Sequence, residues 1–85
     1  MNTFTLDSLP LNSSCKILSL NCSGHIQRRL LDLGLIKNTT ITATLKSPFG
    51  DPTAYEVRGS TIALRKEDAK LIVCESNTNK FYISK

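Results

Sequence analysis

The chain has 85 residues, 40% of them apolar, which is enough for one small core over residues 1–85 and leaves no room for a second. Eleven Lys and Arg against seven Asp and Glu give a net charge of +4. The sign suits an acidic partner, yet Arg65-Lys66 is followed at once by Glu67-Asp68, and no basic tail exists. No apolar run approaches the ~20 residues of a membrane span, and Met1 to Leu6 lacks the basic-then-apolar pattern of a signal peptide, so a cytoplasmic protein without direct membrane insertion is expected.

Thr3 to Leu11 reads as a lead-in with Leu6 and Leu9 as core anchors, and Asn12-Ser13-Ser14 as a turn. Cys15 to Leu20 is a strand with Cys15 and Ile17 on one face and Lys16 on the other. A helix is expected over Gly24 to Leu33, capped by Ser23. Its Ile26, Leu30, Leu31 and Leu33 share a broad apolar arc, with His25, Arg28, Arg29 and Asp32 opposite. Arg28 and Asp32 are four apart and can pair, and Gly34 ends the helix with positive φ. Thr40 to Lys46 then alternates with period two, which predicts Ile41, Ala43 and Leu45 inside and the threonines outside. Ser47 to Pro52 is a loop, because two prolines and a glycine exclude helix or central strand.

Thr53 to Arg58 and Thr61 to Leu64 alternate again, with Tyr55, Val57, Ile62 and Leu64 inward, joined by a tight turn at Gly59-Ser60. Arg65 to Lys70 suits one helical turn, and Leu71 to Glu75 is the last clear strand, with Ile72 and Cys74 in the core. Residues 76–85 form a tail in which Phe81-Tyr82-Ile83 can add an edge strand. The sum is mainly β. Five short strands, one inserted α-helix after the first and a helical turn before the last predict a small, nearly closed barrel.

Chemistry-bearing residues are sparse. Cys15, Cys22 and Cys74 are odd in number and widely spaced, which argues against a disulfide framework. Cys22 and His25 are three apart and are the only weak metal candidates, well short of the four ligands of a closed zinc site, so no metal or cofactor is expected. With one His and no Gly-rich phosphate loop, no nucleophile–base pair has a recognisable spacing, and the chain reads as a non-enzyme. No Trp and only five aromatics argue against a groove for proline-rich peptides.

Three blocks carry a resemblance. Arg29-Leu30-Leu31-Asp32-Leu33-Gly34-Leu35, the loop Ser47-Pro48-Phe49-Gly50-Asp51-Pro52, and Arg58-Gly59-Ser60-Thr61-Ile62-Ala63-Leu64-Arg65-Lys66-Glu67-Asp68-Ala69 resemble, in order and spacing, segments of the FeoA family of ferrous iron transport accessory proteins. Two turns depart from the family pattern. Asn12 and Asn38 stand where the family usually has glycine, and Asn is the residue that next most readily accepts positive φ.

The resemblance implies an SH3-like barrel that binds and modulates the FeoB-type membrane permease from the cytosol, with no catalysis. Partner-binding candidates are Arg28, Arg29 and Asp32 on the polar helix face, Leu35 and Ile36 after the helix, and Phe49, Gly50 and Asp51 in the stiff loop. Leu33 is expected in the core. The alternative is a small basic nucleic-acid-binding barrel, which steep salt dependence of binding would reveal. The resemblance gives it no DNA-binding winged helix, so nucleic acid is not the expected partner.

Overall fold

The computed structural model describes residues 3–76, so the expected Phe81–Ile83 edge strand lies outside the described residues. Six antiparallel strands form one sheet in the order β1-β6-β2-β3-β4-β5: β1 Thr3–Thr5, β2 Ser14–Leu20, β3 Thr40–Lys46, β4 Thr53–Val57, β5 Ser60–Leu64 and β6 Ile72–Ser76. Two helices interrupt them, α1 Gly24–Asp32 and the single turn α2 Lys66–Ala69, and a 3-10 turn spans Leu6–Ser8. The strand missing from the five-strand expectation is β1, whose three residues are too short for alternation to register. It pairs with β6 through Phe4 opposite Cys74. Ser76, expected in the tail, is the last residue of β6.

The inner faces meet in one cluster: Cys15 and Ile17 of β2, Ile41 and Ala43 of β3, Tyr55 and Val57 of β4, Leu64 of β5, Ile72 and Cys74 of β6, with Leu6, Leu30, Leu35 and Ala69. α1 sends a single fully buried side chain, Leu30, into that cluster. One helix residue cannot cover a six-stranded sheet, so the sheet must curl until its own inner faces cover one another. Each fully buried Leu or Ile contributes roughly 1.5–3 kcal/mol.

Two bulges decide which apolar residues enter. In β3 the pairing steps from Ala43 opposite Tyr55 to Leu45 opposite Ala54, so Thr44 is the extra residue. Its hydroxyl donates to the Ala54 carbonyl at 3.1 Å. The bulge inverts the alternation, and Leu45, expected in the core, is 66% exposed on the outer face beside Ala54. A second bulge at Leu18 shifts β2 against β6.

α1 ends as expected. Gly34 has φ +97°, its N–H donates to the Leu31 carbonyl at 2.9 Å, and the Leu35 N–H donates to the Leu30 carbonyl at 3.2 Å. This is a Schellman motif, which folds the second residue after the cap back against the last turn. Leu35 therefore joins Leu30 in the core, and Leu33 stays 38% exposed, against expectation. Ile26, on the same side of the helix as Leu33, is 42% exposed for a related reason: Leu30 is the single α1 side chain fully buried in the core. Ile62 is only partly buried at the edge strand. Ser23 occupies the N-cap but makes no capping hydrogen bond. Asn12 and Asn38 adopt φ of +68° and +73°, the conformation that glycine would supply there.

Candidate functional site

α1 is held to the barrel near its C-terminal end. The Arg29 guanidinium meets the Asp68 carboxylate of α2 at 3.0 Å. Just past the helix a Cβ on Gly34 would lie 3.7 Å from Val57 Cγ1 and 3.9 Å from Arg58 Cδ. The C-terminal end of the helix thus lies between α2 and the β4–β5 turn, with most of the helix surface in solvent. His25, Arg28, Asp32 and Leu31 line a shallow open groove along its outer side with Gly24 and Gln27. Among the described residues the ion pairs are Arg29–Asp68 and Arg65–Asp51, so the expected Arg28–Asp32 pair does not form. Arg28 is left free to meet a carboxylate from outside, whereas Arg29 already has one.

After the helix the two apolar candidates separate. Leu35 is fully buried and cannot touch a partner, while Ile36 is 45% exposed. The segment is rigid: the Ile36 N–H donates to the Gly34 carbonyl at 2.9 Å and the Thr39 N–H to the Ile36 carbonyl at 3.1 Å.

The 47–52 loop is tied down from inside. The Ser47 hydroxyl donates to the Asp51 carbonyl at 2.8 Å, and the Gly50 N–H to the Ser47 carbonyl at 2.9 Å. Asp51 does structural work as well. Its Oδ1 accepts from the Lys66 N–H at 2.8 Å and its Oδ2 lies 3.8 Å from Arg65, so it caps α2 from outside the helix, where the N-cap Arg65 has no capping side chain. The fixed loop holds Phe49 outward, 93% exposed. Large rings seldom stay so bare without a use.

The thiols and the histidine do not assemble. Cys15 and Cys74 are fully buried on neighbouring strands, Cys22 is half-buried against the core, and His25 is exposed. A hydrogen bond to the Cys15 thiol and burial push the Cys74 thiol far above the ordinary range, so it stays neutral. Burial likewise raises the Tyr55 hydroxyl, opposed by a hydrogen bond with Thr53. Among the described residues no three His, Cys, Asp or Glu gather as metal ligands.

One feature of the surface is not visible in the alternation. β5 starts at Ser60, so the hairpin loop is Arg58-Gly59, with φ of +53° and +84°, rather than Gly59-Ser60. Two consecutive positive φ values make it a type I′ turn, in which Asn or Gly is favoured first and Arg is strained. The signal for it in the sequence is an x-Gly pair between two alternating runs with an unsuited x.

No helix among the described residues is long and apolar enough to cross a membrane. Residues 4–76 match the FeoA domain family. The Fe(2+) transport protein A/Fe(2+) transporter FeoB fusion protein of Porphyromonas gingivalis is 30% identical over 70 residues, which are 82% of this chain and 8% of that protein. A FeoA-like protein from Clostridium acetobutylicum has 30% identity and a TM-score of 0.83 over 91% of this chain and 90% of its own. The zinc complex of Stenotrophomonas maltophilia FeoA, described as a procaryotic SH3 domain protein, has 33% identity and a TM-score of 0.76 over 85% and 89%. The three sequence blocks, the six-stranded curled sheet and these matches agree: the chain is an SH3-like domain and belongs to the FeoA family.

Proposed function

We propose that this protein is a cytoplasmic accessory factor of ferrous iron uptake, which binds a FeoB-type transporter and modulates it without catalysing a reaction. The observation that carries the reading is the Porphyromonas gingivalis relative, in which a segment similar to this chain is joined to a FeoB transporter. The chain spans only a small part of that protein. Joining two proteins in one polypeptide raises their mutual concentration, and selection retains such a fusion when the parts work in contact. The surface suits binding more than chemistry: Phe49 projects from a fixed loop, α1 leaves Ile26, Leu31 and Leu33 part-exposed, and Arg28 lacks a carboxylate among the described residues. Nucleic-acid binding draws less support, because Arg29 and Arg65 are already paired with carboxylates.

The test is retention of the detergent-solubilised, full-length transporter on the immobilised 85-residue chain, with circular dichroism as the folding control. Retention that survives moderate salt is expected. A folded chain that retains no transporter refutes the reading.

A further inference from the structure

We infer that the junction between the end of α1 and the β4–β5 turn is the docking site, and that it receives a segment of the partner carrying an apolar residue flanked by carboxylates. The inference rests on the transporter-binding reading above and gives that surface an address and a chemistry.

The first observation is a strained residue where nothing in the fold requires it. Arg58 holds φ +53° at the first position of a type I′ turn, a place where Asn or Gly costs far less. Strain of this kind persists where the side chain is needed. The second is its position. Arg58 lies against Gly34, the residue between part-exposed Leu33 and buried Leu35. Its side chain therefore passes the hydrogen-bonded 34–36 turn, which lies between Leu33 and part-exposed Ile36. The third is charge. Neither Arg58 nor Lys37, which follows Ile36 in the chain, takes part in an ion pair among the described residues, whereas Arg29 and Arg65 do. Two part-exposed apolar side chains on hydrogen-bonded backbone, with an unpaired arginine packed at Gly34 and an unpaired lysine next in the chain, are complementary to an apolar anchor with Asp or Glu beside it. The anchor supplies affinity, and the charges supply orientation and on-rate.

The alternative is that Arg58 only completes the carbonyl end of α1. The two explanations predict opposite signs for one substitution. Arg58→Asn relieves the turn, so a docking role predicts a thermal midpoint higher by about 2–6 °C together with transporter binding weaker by about tenfold. A capping role predicts a lower midpoint. Ile36→Ser should weaken binding by a similar factor with the fold intact, because the side chain is already part-exposed.

Binding is measured by biolayer interferometry, with the full-length transporter in lipid nanodiscs as the probe and the intact chain on the sensor, at low and high salt. The expected result is a wild-type affinity that falls with salt and an Arg58→Asn affinity that falls less. Wild-type binding matched by both variants overturns the docking site and leaves the transporter reading standing. Loss of stability in Arg58→Asn overturns the strain argument. No binding by the folded wild type overturns both readings.

Discussion

Gly34 tests how the C-terminal end of α1 is built. Gly34→Val places a β-branched residue at φ +97°, outside the region L residues occupy readily. The new Cβ would meet Val57 Cγ1 at 3.7 Å and Arg58 Cδ at 3.9 Å, ordinary van der Waals distances, so crowding adds little and the cost is in the backbone. Holding a non-glycine residue there costs roughly 1–3 kcal/mol. Stiffening the unfolded chain returns about 0.4–1 kcal/mol. The net loss is about 1–2 kcal/mol, and more if the chain escapes strain by breaking the hydrogen bond from Leu35 to Leu30, since both side chains lie in the core. With a urea slope of about 1 kcal/mol per M for a domain of this size, the midpoint should fall by about 1–2 M. Gly34→Asn should fall less, because Asn tolerates positive φ, as Asn12 and Asn38 do in this chain. The measurement is equilibrium urea unfolding followed by far-ultraviolet circular dichroism. A valine variant as stable as wild type would refute the Schellman ending and the burial of Leu35 that depends on it.

Leu30→Ala removes the single fully buried side chain of α1 and should cost about 2–5 kcal/mol, whereas Leu45→Thr, turned outward by the Thr44 bulge, should stay within about 0.5 kcal/mol of wild type. Comparable losses in the two variants would mean that β3 alternates without a break. Of the three thiols, half-buried Cys22 should react with a chromogenic disulfide reagent in the native state, while Cys15 and Cys74 react only on unfolding. The sign follows from the chemistry: the thiolate is the nucleophile, and the pKa of Cys74 is raised, so ordinary alkaline pH leaves it protonated while the fold holds. Three equally fast thiols would contradict the packing of β2 against β6.

Much of this fold is written in local pattern. Period-two runs place Ile41, Ala43, Tyr55, Val57, Ile72 and Cys74 inside, and the structure has them buried. The apolar arc and Gly34 place and end α1, and the asparagines at 12 and 38 announce turns that need positive φ. Each is a signal that neighbouring residues carry between themselves, as side-chain alternation, helical period or the conformational cost of one residue. The candidate site was legible only in outline. Ile36 and Phe49 are exposed, but Leu35 is core, Asp51 caps α2 and Arg29 is paired with Asp68.

These assignments depend on residues far apart in the chain. Whether Leu45 points in or out is decided by one extra residue in the pairing of β3 with β4, and a bulge leaves the alternation of the strand's own sequence unchanged. Leu35 rather than Leu33 enters the core because the Gly34 turn folds back on the last turn of α1, and that turn lies beside Val57, 23 positions along the sequence. Whether an arginine is free is decided by which carboxylate the fold brings within 4 Å, so Arg29 and Arg58, alike in sequence, differ in the folded protein. Period and composition tell each segment which side to bury. Only the closing of the sheet and the docking of α1 determine which side chains are left over for a partner, because the inner surface of so small a barrel has room for few of them.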